Sequence, residues 1–206
     1  MLTPDDNETE GQKISYLLQP KKWRHYDPVL FDSLKDILFS QPERNVRMAE
    51  QHNILSGAKY FTELLPEVAV RRERYFATFI EFAQGCDLVF FDPDIGIEVK
   101  SIPRGRKGSS KYVYWSELIA TFAAGHSILV YQHFPRKPRD QFVQSTVKEI
   151  SEKTGARNLY TFSTSHVLFL LAVQAAHEEF FQERGQNVIK VWGEVIKVSH
   201  HKVNEI

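Results

Sequence analysis

Short apolar runs alternate with amphipathic stretches through most of the chain. Four runs have the length and composition of buried strands, at residues 88–91, 126–131, 158–162 and 166–173. Helical spacing of apolar residues is found at 28–39, 68–84, 114–124, 139–153 and 178–184, and a shorter strand is predicted at 45–49. Because strands and helices alternate, the pattern predicts a three-layer α/β/α sandwich with a mostly parallel central sheet.

Residues typical of helix ends bound several of these helices. Asp27 is placed to cap the helix that Pro28 opens, since proline suits the first helical position. Gly125 and Gly155 follow two other helices, where glycine commonly terminates the last turn. The boundaries of these three helices are therefore predicted from sequence alone.

Three arginines lie close together on the helix predicted at 68–84. Arg71, Arg72 and Arg74 are interpreted as a solvated face, with a phosphate contact as the alternative.

The two ends of the chain are polar. Residues 1–13 are predicted to be a loop or a frayed end, and residues 197–206 a polar tail. No linker divides the chain, so residues 1–206 are predicted to form a single α/β domain. The absence of a strand before Thr3 is unusual for an α/β protein, so we expect the sequence to start late or Leu2–Thr3 to end a first strand.

Composition narrows the function classes. The 206 residues are 42% hydrophobic and carry a formal net charge of +0, so binding to nucleic acid needs a local basic patch. The single cysteine, Cys86, excludes an internal disulfide framework and a cysteine-based zinc site. No apolar run approaches the roughly 18 residues of a membrane span, and no signal peptide is visible. We expect a cytoplasmic protein with no membrane partner, no metal and no cofactor.

An acidic loop follows the first apolar run of the predicted sheet. Asp92-Pro93-Asp94-Ile95-Gly96 ends the strand, and Glu98 adds a third carboxylate. Ligands of open α/β sheets bind at the carboxyl ends of strands, which makes this loop the first candidate site. Cations follow it in the chain, at Arg104, Arg106, Lys107 and Lys111.

Two further strands are followed by polar segments. Gln132–Arg139 contains His133 and the cations Arg136, Lys137 and Arg139, and the later segment Ser163–His166 ends in a histidine. If the strands are parallel neighbours, His133 can approach Asp92 and Asp94 across a shared cleft. The competing interpretations are that the acidic loop is a generic turn, that His133 is exposed or a cap, and that His166 belongs to a strand end.

Paired carboxylates and a histidine beside cations suit hydrolysis of an N-glycosidic bond in nucleic acid. Asp92 would activate water, Asp94 would assist, and His133 or His166 would steady the departing base. A base in a duplex must be flipped out and stacked, and the aromatic candidates near the two loops include Phe90, with Tyr112, Trp115 and Phe134 preferred. The cations of both loops would hold phosphates. The predicted partner is DNA, with RNA as an open alternative.

Three stretches carry a family resemblance. DPDIGIEVKS, KYVYWSEL and LVYQHFPR resemble a group of uncharacterised bacterial proteins that share a DPDxG…YQHFPR pattern, over residues 23–171. This resemblance implies no established activity. Members of the group carry additional sequence before the position of Met1.

More distantly, Asp92-Pro93 resembles the water-activating Asp-Pro motif of the uracil-DNA glycosylase superfamily, with similar spacing to Trp115 and to the strand at 126–131. The resemblance implies a DNA glycosylase in repair or in defence against phages with modified DNA. The glutamine and tyrosine that flank the family motif are absent here. Its late His-Pro-Ser loop is matched loosely by His133-Phe134-Pro135 or by Ser165-His166.

Three other interpretations compete with base excision. Asp92-Pro93 also resembles the motif of Asp-Pro-Pro-Tyr amino-methyltransferases, in which the strand pair at 158–173 would be the terminal hairpin. Asp94 and Ile95 replace the second proline and the aromatic residue, and no glycine-rich turn is present for S-adenosylmethionine.

A magnesium nuclease of the PD…ExK kind would use Asp94, Glu98 and Lys100. The remaining alternative is a nucleic-acid-binding or partner-binding module without catalytic activity.

Overall fold

The computed structural model describes residues 14–40 and 47–203. The chain divides into two compact units, whose described parts are residues 14–40 with 47–63, and residues 64–203. Each unit is taken by itself below. The predicted loop at residues 1–13 lies outside the described residues.

The smaller unit is helical in its described part. A 3-10 turn, Ser15–Leu18, precedes α1 (Pro20–Trp23), α2 (Pro28–Ser40) and α3 (Arg47–Gln51). Asp27 Oδ1 accepts the Leu30 amide at 2.9 Å, which confirms the predicted cap of α2. The strand predicted at 45–49 is wrong where it is described, because α3 starts at Arg47; residues 45 and 46 lie outside the described residues.

The described part of the larger unit contains the sheet and four α-helices. In chain order its elements are α4 (Ala69–Phe82), β1 (Leu88–Phe91), β2 (Gly96–Ile97), β3 (Tyr112–Val113), α5 (Trp115–Ala123), β4 (Ser127–His133), α6 (Arg139–Thr154), β5 (Asn158–Ser163), β6 (Val167–Val173), α7 (Glu178–Trp192) and β7 (Lys197–Lys202). Gly125 and Gly155, both at positive φ, follow α5 and α6 as predicted.

The main sheet is mixed, so the predicted mostly parallel sheet is wrong. Its order is β1-β4-β6-β5-β7, and within this sheet, as far as it is described, only β1 and β4 are parallel neighbours. A separate two-stranded sheet pairs β2 with β3 in parallel. β5 and β6 are joined by residues 164–166, a link far too short for the crossover that parallel pairing needs. β6 therefore folds back antiparallel and lies between β4 and β5. The α/β class itself is confirmed.

The predicted polar tail is wrong over residues 197–202, which form the edge strand β7. β7 pairs antiparallel with β5, from Asn158 opposite Lys202 to Ser163 opposite Lys197. A polar sequence suits this position because an edge strand is partly solvated and charged side chains discourage further pairing. The His200 ring stacks on Tyr160 at 4.2 Å between centroids, which adds a side-chain contact to the ladder.

Helices cover the two faces of the sheet unequally. On one face, Phe76 and Phe79 of α4 pack against Phe91 of β1, with ring centroids 6.5 and 5.8 Å apart. On the other face, Phe181 of α7 joins a cluster with Tyr160, Leu171 and Val173. Aromatic side chains further along this second face remain partly exposed. In the described part of the chain, no helix has the length and apolarity required to cross a membrane.

Arg72 corrects the interpretation of the α4 arginines as a solvated face. Its side chain is fully buried, and Nε and Nη2 donate to the Glu117 carboxylate at 2.6 and 2.9 Å. The guanidinium also donates to the carbonyl oxygens of Ser109 and Tyr112, at 2.9 and 2.6 Å. Arg71 and Arg74 are exposed, as predicted. Arg72 therefore ties α4 to the segment that carries the basic loop.

Candidate functional site

The three polar strand ends found in the sequence lie at one edge of the sheet. β1 and β4 are parallel, so the acidic loop and the segment after His133 leave the sheet on the same side. His133 is paired with Val167 at the start of β6, which places the 163–166 turn beside them. The prediction that the first two loops share an edge of the sheet is therefore confirmed, since β1 and β4 are parallel neighbours. β5 points the same way because it and β4 are each antiparallel to β6.

The acidic loop is held against β4 by hydrogen bonds. The His133 amide donates to the Ile95 carbonyl at 3.0 Å, and the Ile97 amide donates to Gln132 Oε1 at 2.8 Å. Gln132 is buried, and its Nε2 donates to the His133 carbonyl at 2.8 Å. Asp92 and Asp94 consequently belong to a loop whose far end is fixed on the strand that carries His133.

Gly96 allows this close approach. Its φ is +139°, and a Cβ atom at this position would overlap the side-chain amide of Gln132. We expect Gly96→Ala to destabilise the larger unit by about 2–4 kcal/mol, from strained backbone and overpacking together.

Gly85→Ala is the matched control, because Gly85 has φ +79° but nothing within 4 Å of the added methyl group. This substitution should lower the free energy of unfolding by about 1 kcal/mol. Urea denaturation of both variants tests the contact, and equal losses would contradict it.

Asp92 has the perturbed carboxyl group of the site. Burial of its carboxyl group raises its pKa, the negative charge of Asp94 raises it further, and His133 acts in the opposite direction. The residue as a whole is nevertheless exposed, so screening by solvent keeps the effect of this shift on stability small. A carboxylate with a raised pKa is a better proton acceptor at neutral pH than an ordinary aspartate.

His133 is oriented by its own strand. The Tyr131 hydroxyl and His133 Nε2 are 3.1 Å apart, and the two rings meet edge to face with centroids at 5.1 Å. The backbone of His133 is held beside the acidic loop by its hydrogen bond to the Ile95 carbonyl, and its charge lowers the pKa of the Asp92 carboxyl group.

Glu98 has a structural role. Its carboxylate accepts the Trp115 amide at 2.8 Å at the start of α5, while its own amide donates to the Val113 carbonyl at 2.8 Å. No group of three or more histidine, cysteine, aspartate or glutamate side chains within 14–40 and 47–203 converges as metal ligands would. The arrangement therefore gives no support to Asp94, Glu98 and Lys100 as a nuclease centre.

His166 lies at the rim of the site. It is exposed on the turn between β5 and β6, its amide donates to Thr164 Oγ1 at 3.2 Å, and its carbonyl accepts the Phe134 amide at 3.4 Å. Its backbone is thereby placed beside the segment that follows β4. A catalytic role for His166 stays a prediction.

The predicted phosphate-binding residues differ in how exposed they are and in how many contacts they make within the protein. Arg104 contacts Ser116 and lies 3.6 Å from Glu73 and 5.5 Å from the Tyr114 ring, so it is largely engaged within the protein. Lys111 is half-buried, and its carbonyl accepts the Ile95 amide. The exposed cations of the set are Arg106, Lys107, Arg136, Lys137 and Arg139.

The predicted stacking residues are partly buried and already packed. The ring centroids of Phe134 and Phe142 are 6.0 Å apart, and the Arg139 guanidinium carbon lies 5.4 Å from the centroid of the Phe134 ring. Lys153 lies 5.2 Å from the Trp115 ring, and Tyr112 is half-buried with its carbonyl bound to Arg72. Their packing favours a supporting role over direct stacking on a base.

The sequence pattern identified only two members of a better placed set of rings, Phe90 and His133, and missed Tyr131 and Phe169. An aromatic row runs across the partly exposed face of the sheet. It consists of Phe90, Phe169, Tyr131 and His133. Successive ring centroids are 6.2, 5.3 and 5.1 Å apart, and Phe90 is 48% exposed. Alternation along β4 could have revealed Tyr131, but Phe169 is hidden within the continuous apolar run of β6.

No model of a known protein family, no curated protein and no solved structure matched this chain. The residues of the site themselves therefore carry its interpretation.

A second set of residues has the composition of a hydrolase triad but not its accessibility. Ser127 Oγ lies 3.0 Å from His177 Nδ1, and His177 Nε2 lies 3.4 Å from Asp87 Oδ1. Ser127 is fully buried and its Oγ accepts the Gln174 amide at 3.0 Å. A nucleophile must reach its substrate, so we assign these residues to holding the amino end of β4 in place.

Proposed function

We propose that this protein hydrolyses the N-glycosidic bond of a base in nucleic acid, with Asp92 activating the water. The observation that carries the proposal is that β1 and β4 are parallel neighbours, so that Asp92 and His133 lie at the same edge of the sheet, where burial raises the pKa of the Asp92 carboxyl group. Both residues lie at the end of a row of partly exposed rings, which suits an enzyme that must hold a base out of its stack.

The chemistry assigns one role to each group. As the bond between the base and the sugar breaks, the electron pair leaves with the base and positive charge develops on the sugar. The ionised Asp92 stabilises that charge, then takes a proton from the water that attacks the sugar carbon. His133, beside Asp92 and oriented by Tyr131, stabilises the departing base.

Nucleic acid is the proposed partner because cations flank the site. Arg136 and Lys137 follow His133 directly and are exposed, and Arg106 and Lys107 are exposed on the loop after Glu98. Such residues position a phosphate backbone without reading its sequence. DNA is the preferred substrate and RNA the alternative, in a cytoplasmic enzyme of repair or phage defence.

The direct test is incubation of the protein with unmodified, uracil-containing and phage-type modified DNA, with no metal or S-adenosylmethionine added. Strand breaks that appear only after alkali identify abasic sites and support base excision. Breaks before alkali that depend on magnesium, or no breaks on any substrate, contradict it. The same assay with RNA in place of DNA decides which of the two nucleic acids is the substrate.

A second candidate function, methylation of a base amino group, is favoured by one specific observation. β5 and β6 form a hairpin, and β6 lies between β4 and β5, antiparallel to both. Earlier in the chain, β1 is followed by the Asp92-Pro93 loop. A terminal hairpin of this kind is what the resemblance to Asp-Pro-Pro-Tyr methyltransferases implied. Transfer of a labelled methyl group from S-adenosylmethionine to DNA, without abasic sites, would establish this function instead.

The acid side of the pH profile should report the ionisation of Asp92. Because the raised pKa keeps Asp92 protonated to higher pH, kcat/KM should rise with pH through a pKa above that of an ordinary aspartate. Asp94→Asn removes a charge that raises this pKa, so the rise should move to lower pH. His133→Gln removes an opposing influence, so it should move to higher pH.

Shifts are judged by the midpoint of the rise, because both variants can also lower the maximal rate. Midpoints that move in the same direction, or not at all, would contradict the assignment of Asp92 as the titrating base.

A further inference from the structure

We propose that the aromatic row is a stacking platform for the bases of single-stranded nucleic acid next to the target base. This inference rests on the proposed function and adds a partner surface to the same site. It follows from the continuity of the rings, from their exposure, and from the cations that lie where the row ends.

The rings form one continuous path to the site. Phe90 on β1 contacts Phe169 on β6, Phe169 contacts Tyr131 on β4, and Tyr131 contacts His133. His133 in turn influences the Asp92 carboxyl group. A strand whose bases stack along the row would therefore present its next nucleotide to Asp92.

The exposure of these rings needs an explanation. Phe90 is 48% exposed although it lies in an apolar strand, while Val89 and Phe91 on either side of it are buried. A single exposed apolar side chain is ordinary, but Phe90 belongs to a contiguous row of partly exposed rings, and contiguous exposed apolar surface commonly marks a binding site. Flat rings on a sheet face suit nucleobases because every base offers a flat apolar surface for stacking.

An apolar cleft continues the row towards α7. The cleft has a volume of about 340 Å³. Its lining includes Leu88, Leu129, Phe169, Phe181 and Trp192. Arg184 is the single charged side chain among the described residues of its lining. A planar group with a nearby negative charge, such as a base with its phosphate, matches this combination better than a purely apolar segment does.

The charge pattern also favours nucleic acid over a second copy of the chain. Three exposed cations, Arg136, Lys137 and Arg139, follow the row immediately after His133 and Phe134. In a symmetric pair of such faces these cations would add repulsion, whereas a nucleic-acid strand brings phosphates to them.

The test measures binding of fluorescent fifteen-nucleotide oligo-dT, oligo-U and a DNA duplex by anisotropy at two salt concentrations. Single strands should bind more tightly than the duplex. Phe90→Leu and Phe169→Leu should each weaken single-strand binding about tenfold, since leucine keeps an apolar side chain but loses the stacking surface. Phe90→Tyr should retain binding. Phe82→Leu on α4, where the ring is 39% exposed, is the matched control and should change nothing.

The outcomes separate this inference from the proposed function. Normal single-strand binding by the unchanged protein, with no abasic sites on any substrate, would overturn base excision alone. Equal binding by the Phe90→Leu, Phe169→Leu and Phe82→Leu proteins would overturn the stacking platform. So would an absence of binding to either single strand. Sedimentation that shows a dimer lost in the Phe90→Leu protein, with unchanged nucleic-acid binding, would assign the face to self-association and also overturn the inference.

Discussion

Replacing Arg72 by methionine is expected to destabilise the larger unit by about 3–5 kcal/mol, because the Glu117 carboxylate would remain buried without its partner. The carbonyl groups of Ser109 and Tyr112 would lose their donors at the same time. The free energy of unfolding in urea measures the loss. Trypsin cleavage at Arg106 or Lys107 should also become faster, since the basic loop would be held less firmly.

Two further variants give this experiment its control and its rescue. Arg71→Met removes an exposed arginine from the same helix and should change the stability by no more than about 0.5 kcal/mol. Adding Glu117→Gln to Arg72→Met removes the uncompensated buried charge and should recover part of the loss. If Arg72→Met behaves like Arg71→Met, the buried ion pair does not organise this part of the fold.

Replacing Asp92 by asparagine is expected to lower the rate of the proposed base excision by at least about 100-fold, because asparagine cannot take the proton of the attacking water. The folded protein should remain at least as stable as before. The raised pKa means that the folded protein disfavours the ionised form, so at neutral pH the loss of charge should leave stability unchanged or slightly higher. Alkali-dependent strand breaks measure the rate, and urea denaturation measures the stability.

Asp87→Asn is the matched control for this substitution. Asp87 precedes β1 at the opposite end of the strand, and its side chain is 82% exposed. Its replacement should leave the rate within about twofold of the unchanged protein. Activity that survives in the Asp92→Asn protein would remove Asp92 from the mechanism, whatever the fate of the other residues.

The sequence predicted most elements of the larger unit because their signals are local. The cap at Asp27 in the smaller unit and the stops at Gly125 and Gly155 need only neighbouring residues. The grouping of Asp92 with His133 also followed from local signals, since a polar turn after each of two parallel strands suffices to place them together. The candidate site was therefore predictable in outline.

What the sequence did not reveal depends on contacts between distant residues. Nothing in the pattern of α4 distinguishes Arg72 from Arg71, because its partner Glu117 lies on another helix. β7 has a polar composition and becomes a strand because β5 supplies its hydrogen bonds. The direction of β6 was an exception, since the short link at 164–166 already required an antiparallel return.

The middle position of β6 in the sheet also implies an order of assembly during folding. The β5–β6 hairpin closes across residues 164–166, so its loop-closure entropy is small. β4 joins β6 only after the chain has closed over residues 134–166, and β1 joins β4 only after it has closed over residues 92–126, so both closures are far longer than that of the hairpin. On this kinetic argument Asp92 meets His133 only after the β5–β6 hairpin has formed.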